Sequence, residues 1–128
     1  MNYLIDTHVL IWFGETDEQL PLSTRNIIEE VGNNIFVSHA SIWEMAIKMS
    51  LGKLQVSYTL PEWEKFLQEN AFLMLPNKFS HYEVLLSLPF HHQDPFDRLL
   101  IAQAIAEDFT IITHDPKFRA YPVKLLYC

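Results

Sequence analysis

Five short runs dominated by apolar residues recur along the chain, at 2–5, 35–37, 72–75, 110–113 and 123–127. Runs this short and this continuous read as strands buried on both faces. The stretches between them carry apolar residues at helical spacing instead. The first such stretch, 8–13, follows Asp6, whose carboxylate can cap it, and Gly14 stops it. The second opens at Ser23 or Thr24, places Ile27, Ile28 and Val31 on one face and ends at Gly32-Asn33-Asn34. A third, over 41–50 before Gly52, repeats Trp43, Ala46, Ile47 and Met49 and has Glu44 in its opening turn. Thr59, Pro61 and Glu62 start a fourth with Trp63, Phe66 and Leu67 inside; Ser80 starts a fifth bearing Tyr82, Val84, Leu85 and Leu88, stopped by Pro89. Asp94-Pro95-Phe96-Asp97 opens the strongest helix, 97–108, with Leu100, Ile101, Ala104 and Ile105 at helical spacing.

Buried strands alternating with amphipathic helices predict an α/β fold around a parallel sheet covered on both faces. Ligands of such sheets bind beyond the carboxyl ends of the strands, so the acids that follow strands or open helices are the positions of interest. With 128 residues and no repeat, low-complexity tract or linker, the chain reads as one domain, 1–128. Apolar residues at 49% against 20% charged exclude an intrinsically disordered body. No uninterrupted apolar run exceeds five residues, as at Val9 to Phe13. A membrane span needs about 20 residues and a signal peptide core about 7–15, so a cytoplasmic protein with no membrane partner is expected. Only three glycines are present, none in a phosphate-binding loop, and the single cysteine, Cys128, rules out an intrachain disulfide or a multi-cysteine metal site.

Four acids draw attention: Asp6, Glu44, Asp97 and Asp115. Each also has an ordinary structural reading. Asp6 and Asp94 can be helix caps, Ser41-x-x-Glu44 matches a capping box, Asp97 complements a helix dipole, and Asp115-Pro116 starts a turn. All four nevertheless sit at strand ends or opening helical turns, which a parallel sheet gathers on one edge. Two carboxylates about 4 Å apart repel by roughly 4 kcal/mol at an effective dielectric near 20, so a converging set calls for a cation. Oxygen-only donors suit Mg²⁺, with Mn²⁺ a possible substitute, and carboxylate-held ions of this kind serve phosphodiester hydrolysis.

The residues that carry this pattern resemble those of PIN-domain ribonucleases, and within them VapC-type toxins of bacterial or archaeal toxin–antitoxin pairs. The resemblance runs through Tyr3-Leu4-Ile5-Asp6-Thr7-His8, then Ser41-Ile42-Trp43-Glu44-Met45-Ala46-Ile47-Lys48 with Gly52-Lys53-Leu54. It continues through Asp94-Pro95-Phe96-Asp97-Arg98-Leu99-Leu100-Ile101-Ala102-Gln103-Ala104 and Ile112-Thr113-His114-Asp115. Together, in this order, the segments are specific; singly each is weak. The resemblance implies an α/β/α sandwich with a short central parallel sheet and Mg²⁺-dependent RNA cleavage leaving a 5′-phosphate and a 3′-hydroxyl. Asp6, Glu44, Asp97 and Asp115 then become metal ligands and catalytic acids, Thr7 and Thr113 hydroxyls that orient them, and Asp94 chiefly a helix cap in the same motif. A homodimer and a small antitoxin protein that covers the cleft are implied as partners beside the RNA substrate.

A formal charge of −7 argues against a broad basic field for RNA, so weak affinity is expected. Lys48, Lys53, Arg98, Lys117 and Arg119, near the motifs in sequence, are the candidate RNA contacts, although each has a solvated or ion-paired surface position as its ordinary reading. His8 and His114 are expected to be solvated or to stand behind ligands, and His91-His92 to form a solvated turn. Trp12, Phe13, Trp43, Trp63 and Phe66 are expected in the core or in subunit contacts rather than as base-stacking platforms. Two competing readings remain: a PIN-like module kept for binding or scaffolding without catalysis, and a metal-dependent phosphatase. A dehalogenase-like phosphatase would want an acid two positions after Asp6, where this chain has His8.

Overall fold

The computed structural model describes all residues, 1–128. Its five strands are β1 (Asn2–Ile5), β2 (Asn34–Ser38), β3 (Leu73–Leu75), β4 (Thr110–Thr113) and β5 (Leu125–Tyr127). They form one sheet in the order β3-β2-β1-β4-β5, with every neighbouring pair parallel. Six helices connect them: α1 (Thr7–Gly14), α2 (Leu22–Glu29), α3 (His39–Ser50), α4 (Leu60–Glu69), α5 (Phe79–Ser87) and α6 (Pro95–Glu107). A 3₁₀ turn over Pro116–Ala120 leads from β4 to β5. The α/β/α layering anticipated from the alternating pattern is present. No helix is long and apolar enough to cross a membrane.

The two-residue strand period sorts the core into halves. Tyr3, Ile5, Ile35 and Val37 face α1 to α4, where Val9, Leu10, Phe13, Met45, Trp63 and Leu67 meet them. Leu4 and Ile111 face the other way, onto Leu88, Leu100, Ile101, Ala104 and Phe118. The chain leaves β1 toward β2 on one side of the sheet and later returns to β4 on the other. That switch point between β1 and β4 opens a crevice beyond their carboxyl ends.

Several boundaries differ from the sequence reading. Pro21, not Ser23 or Thr24, precedes α2, with fixed φ suiting a helix entry, and Val31 lies beyond the helix, fully exposed. Helix α3 starts at His39 because the Ser38 hydroxyl accepts the Ala40 N–H. The Ser41/Glu44 capping box therefore does not form, and Glu44 sits in the second turn. The inner face of α3 is Ala40, Ser41, Glu44 and Met45, so Trp43 points outward at 61% exposure. The helix start read at Thr59, Pro61 and Glu62 holds, and there Thr59 and Glu62 close a capping box. Helix α5 begins at Phe79, one residue before Ser80, and leaves Tyr82 exposed; β5 starts at Leu125 rather than 123.

Candidate active site

Asp6 follows β1 directly, and its backbone N–H extends the ladder to Ile112 O at 3.1 Å. Its Oδ1 accepts the Val9 N–H at 2.8 Å, capping α1, while Oδ2 accepts the Thr113 hydroxyl from the end of β4 at 2.5 Å. Asp6 is thus both a cap and a fixed carboxylate at the switch point. Burial pushes its pKa up, partly offset by the Thr113 and Val9 hydrogen bonds.

Asp94 caps α6, its Oδ1 accepting the N–H groups of Phe96 and Asp97. Pro95 takes the first helical position, which needs no donor, and the turn aims Asp97 back toward the sheet edge. Asp97, Asp6 and Asp115 line one cavity of 330 Å³ with His8, Trp12 and His114. Burial raises the Asp97 pKa from 3.8 to about 8, with the charges of Asp94, Asp6, Glu44 and Asp115 adding to the effect. Glu44 occupies an adjoining cavity of 610 Å³ with Thr7, Lys48 and Lys53. The Thr7 hydroxyl donates to Glu44 Oε1 at 2.8 Å, and Lys48 Nζ lies 2.7 Å from Oε2. That pairing pushes the Lys48 pKa up. Three aspartates share one cavity, and the glutamate is braced next door against a lysine.

His92 departs from expectation. Only 5% exposed, it is no solvated turn residue. Its backbone N–H donates to the Tyr121 hydroxyl at 2.9 Å, and its ring packs edge-on against Phe118. Nδ1 accepts the Asp94 N–H at 3.1 Å, which assigns the proton of a neutral ring to Nε2. Nε2 lies 2.9 Å from Asp115 Oδ2 and 3.1 Å from Asp97 Oδ2. The donor atoms of His92, Asp97 and Asp115 fall within 4.8 Å of one another, a group able to hold a metal ion. The other oxygen of Asp115 accepts the Lys117 N–H at 2.9 Å and caps the 3₁₀ turn. Sequence reasoning missed His92; the only local signal was its place two residues before the cap Asp94. His91 beside it is exposed.

Arg98 is the second correction. It was a candidate RNA contact, yet only 7% of it is exposed. Its guanidinium donates to the carbonyls of Pro89 at 2.8 Å and Leu88 at 3.3 Å and lies over the Phe90 ring. One helical residue is a rotation of about 100°, so Asp97 faces the cavity while Arg98 turns away from it and braces the loop that presents His92. Lys53, Lys117 and Arg119 are exposed and Lys48 is half-buried. Trp12, anticipated in the core or at a subunit contact, packs on the core but also forms a wall of both cavities.

The free donors around the aspartate cavity are carboxylate oxygens, both ring nitrogens of His92 being engaged with Asp94, Asp97 and Asp115; this set fits a hard divalent cation. PIN-domain nucleases generally depend on such a metal, and this chain carries an acidic group that could hold one. Ribonuclease VapC22 of Mycobacterium tuberculosis is 25% identical over 119 residues, 92% of this chain and 90% of that protein. The solved VapBC2 complex of Rickettsia felis, bound to a DNA fragment from its promoter, is similar at a TM-score of 0.71 and 17% identity, covering 100% of this chain and 99% of that one. VapBC-1 of nontypeable Haemophilus influenzae is similar at a TM-score of 0.72 and 14% identity, covering 99% and 98%. The PIN domain family model matches residues 3–124, from the first strand to the threshold of the last, and the chain belongs to the PIN-domain family.

Proposed function

We propose that the chain is a metal-dependent endoribonuclease and the toxin of a toxin–antitoxin pair, hydrolysing RNA phosphodiester bonds to leave a 5′-phosphate and a 3′-hydroxyl. The observation that carries this reading is the shared cavity of Asp6, Asp97 and Asp115 at the β1/β4 switch point, with the Asp97 pKa driven up to about 8. A site that disfavours its own ionisation this strongly is one that a divalent cation would complete. Mg²⁺ is the proposed ion, Mn²⁺ its substitute, with Asp6, Asp97 and Asp115 as ligands and Glu44 on the flank. When bound, such a cation lowers the pKa of an attacking water and offsets charge on the leaving oxygen. The chain's own residues hold the geometry. Thr113 fixes Asp6, Thr7 fixes Glu44, and His92 holds the outer oxygens of Asp97 and Asp115, leaving the remaining lone pairs for the ion.

A single domain acting in the cytoplasm as a homodimer, with a small antitoxin partner, completes the reading. The full-length likeness to VapBC proteins supports the antitoxin. An apolar cavity of 500 Å³ between α3 and α4, lined by Ile42, Leu60, Trp63, Leu67 and Phe72, offers a surface that such a partner could cover. The exposed Trp43, edge-on to Phe96, supports a subunit contact. Lys48, Lys53, Lys117 and Arg119 remain candidate RNA contacts. The test is cleavage of cellular RNA by purified protein with Mg²⁺, with chelator, and with Asp6→Asn. Cleavage should need the ion and the aspartate; undiminished turnover in chelator or in the variant would refute the assignment. Growth arrest on expression, relieved by a small neighbouring gene product, tests the toxin role.

A further inference from the structure

Four rings from three segments follow one another outward from the rim of the acidic cavity. The Arg119 guanidinium lies 3.8 Å from the centroid of the Tyr127 ring. Tyr127 and His114 are near parallel, with 12° between planes and centroids 5.8 Å apart. His114 meets Trp12 at 5.2 Å and 64°, and Trp12 meets His8 at 6.3 Å and 58°. Both tilts fix the indole without laying a ring flat over it. His8 and His114 are exposed, and Trp12, anchored on the core by one side, keeps part of its surface open. Together with His8 it separates the cavity of Asp6, Asp97 and Asp115 from the cavity of Lys48 and Lys53. A flat apolar surface therefore stands between a place for a reacting phosphodiester and a place for the next phosphate.

We propose that Trp12, flanked by His8 and His114, is a stacking platform for one unpaired nucleobase next to the phosphodiester held at the carboxylates. The inference rests on the nuclease reading above and deepens it. A base can lie on an aromatic face only once it leaves its own stack, and the bases of an A-form duplex do not. Stacking also suits a chain with a net charge of −7, because it supplies affinity that no basic field provides.

The test is an abasic scan read by binding, separate from cleavage. Fluorescein-labelled single-stranded RNA of about 12 nucleotides is titrated by anisotropy against Asp6→Asn protein, with Trp12 intact or as Trp12→Ala. A parallel series carries one abasic nucleotide at each position in turn. Trp12→Ala should weaken binding by about 5- to 150-fold, the loss of one base–aromatic stack. One abasic position should weaken the Trp12 protein to the same extent and leave Trp12→Ala unaffected. The salt dependence should stay unchanged in Trp12→Ala, whereas Lys53→Ala should lower the slope by about 0.7 if it meets one phosphate of a single strand. His114→Ala, at an exposed ring, repeats the measurement without disturbing the core. Equal abasic losses in both proteins, or unchanged affinity in Trp12→Ala and His114→Ala, would overturn the stacking site even if wild-type protein cleaves RNA. Ring-dependent binding without cleavage would instead remove the nuclease reading and leave the site standing.

Discussion

Ionising Asp97 should destabilise the metal-free protein, and the size of that effect follows from its position. The carboxyl is held near pKa 8 in the folded chain against 3.8 when exposed. Between those values the folded state keeps a proton that the unfolded state releases, so stability from this group is fully present below about pH 4 and is lost as pH rises toward 8. The slope is at most about 1.4 kcal/mol per pH unit, so raising the pH from 5 to 7 in chelator costs about 2–3 kcal/mol. For a domain of this size that lowers Tm by about 10 °C. Asp6 is shifted in the same direction, so Asp97→Asn should flatten most of the dependence rather than all of it. Adding Mg²⁺ at pH 7.5 should raise Tm in wild type and much less in Asp97→Asn, because binding to the native state alone stabilises by mass action. Calorimetric Tm against pH, in chelator and in Mg²⁺, reads all four curves. Identical slopes for wild type and Asp97→Asn in chelator would refute the claim that burial and its acidic neighbours hold the Asp97 proton.

Arg98→Ala should cost about 2–4 kcal/mol in urea unfolding, because it strands the carbonyls of Pro89 and Leu88 in a buried loop; a loss below about 1 kcal/mol with RNA affinity sharply reduced would return Arg98 to the surface role. Gly14→Ala should cost about 1–3 kcal/mol, since its Cβ would stand 2.3 Å from Trp63 Cη2 and 2.5 Å from Cζ3; unfolding should show the penalty shrinking in a Gly14→Ala, Trp63→Phe double variant, and full additivity would contradict the clash. His92→Ala should weaken Mn²⁺ binding by about 10- to 100-fold in titration calorimetry, with His92→Gln, which can keep a donor near the Nε2 position, recovering part of it. Unchanged affinity in His92→Ala would mean that the imidazole only fills space.

What was legible in the sequence was legible because its cause is local. Strand period, Asp6 after an apolar run, and Asp94-Pro95 as a helix start all act within a few residues, and a parallel sheet then carries Asp6 and Asp115 to neighbouring strand ends. Where distant contacts decide, the sequence was silent or misleading. His92 is buried by Tyr121 and Phe118 from beyond β4, which no local composition reveals. Arg98 reads as a rim residue until the rotation of α6 is known. Trp43 and Trp12 sit in runs that read as an apolar helical face, yet α3 turns Glu44 and Ser41 inward toward Thr7, and Trp43 is displaced to the surface.

The inward turn of Glu44 and the burial of His92 answer the same electrostatic problem by different means. Glu44 is buried, and its carboxylate is met by Lys48 at 2.7 Å and by a threonine hydroxyl. Asp97 has no cation beside it and meets only the imidazole proton shared with Asp115, so its ionisation is disfavoured until positive charge arrives. The two halves of the acidic edge therefore differ before any ligand binds: one is neutralised by the chain itself, the other is left short of charge. If Lys48 moved onto an RNA phosphate, Glu44 would lose its partner at the moment the reacting group approached, and its carboxylate would be freed to join the aspartates. Lys48→Met should then strip Glu44 of its charge partner without RNA, so Mn²⁺ affinity should rise while RNA affinity falls; a parallel fall in both would mean that Lys48 merely holds Glu44 in place.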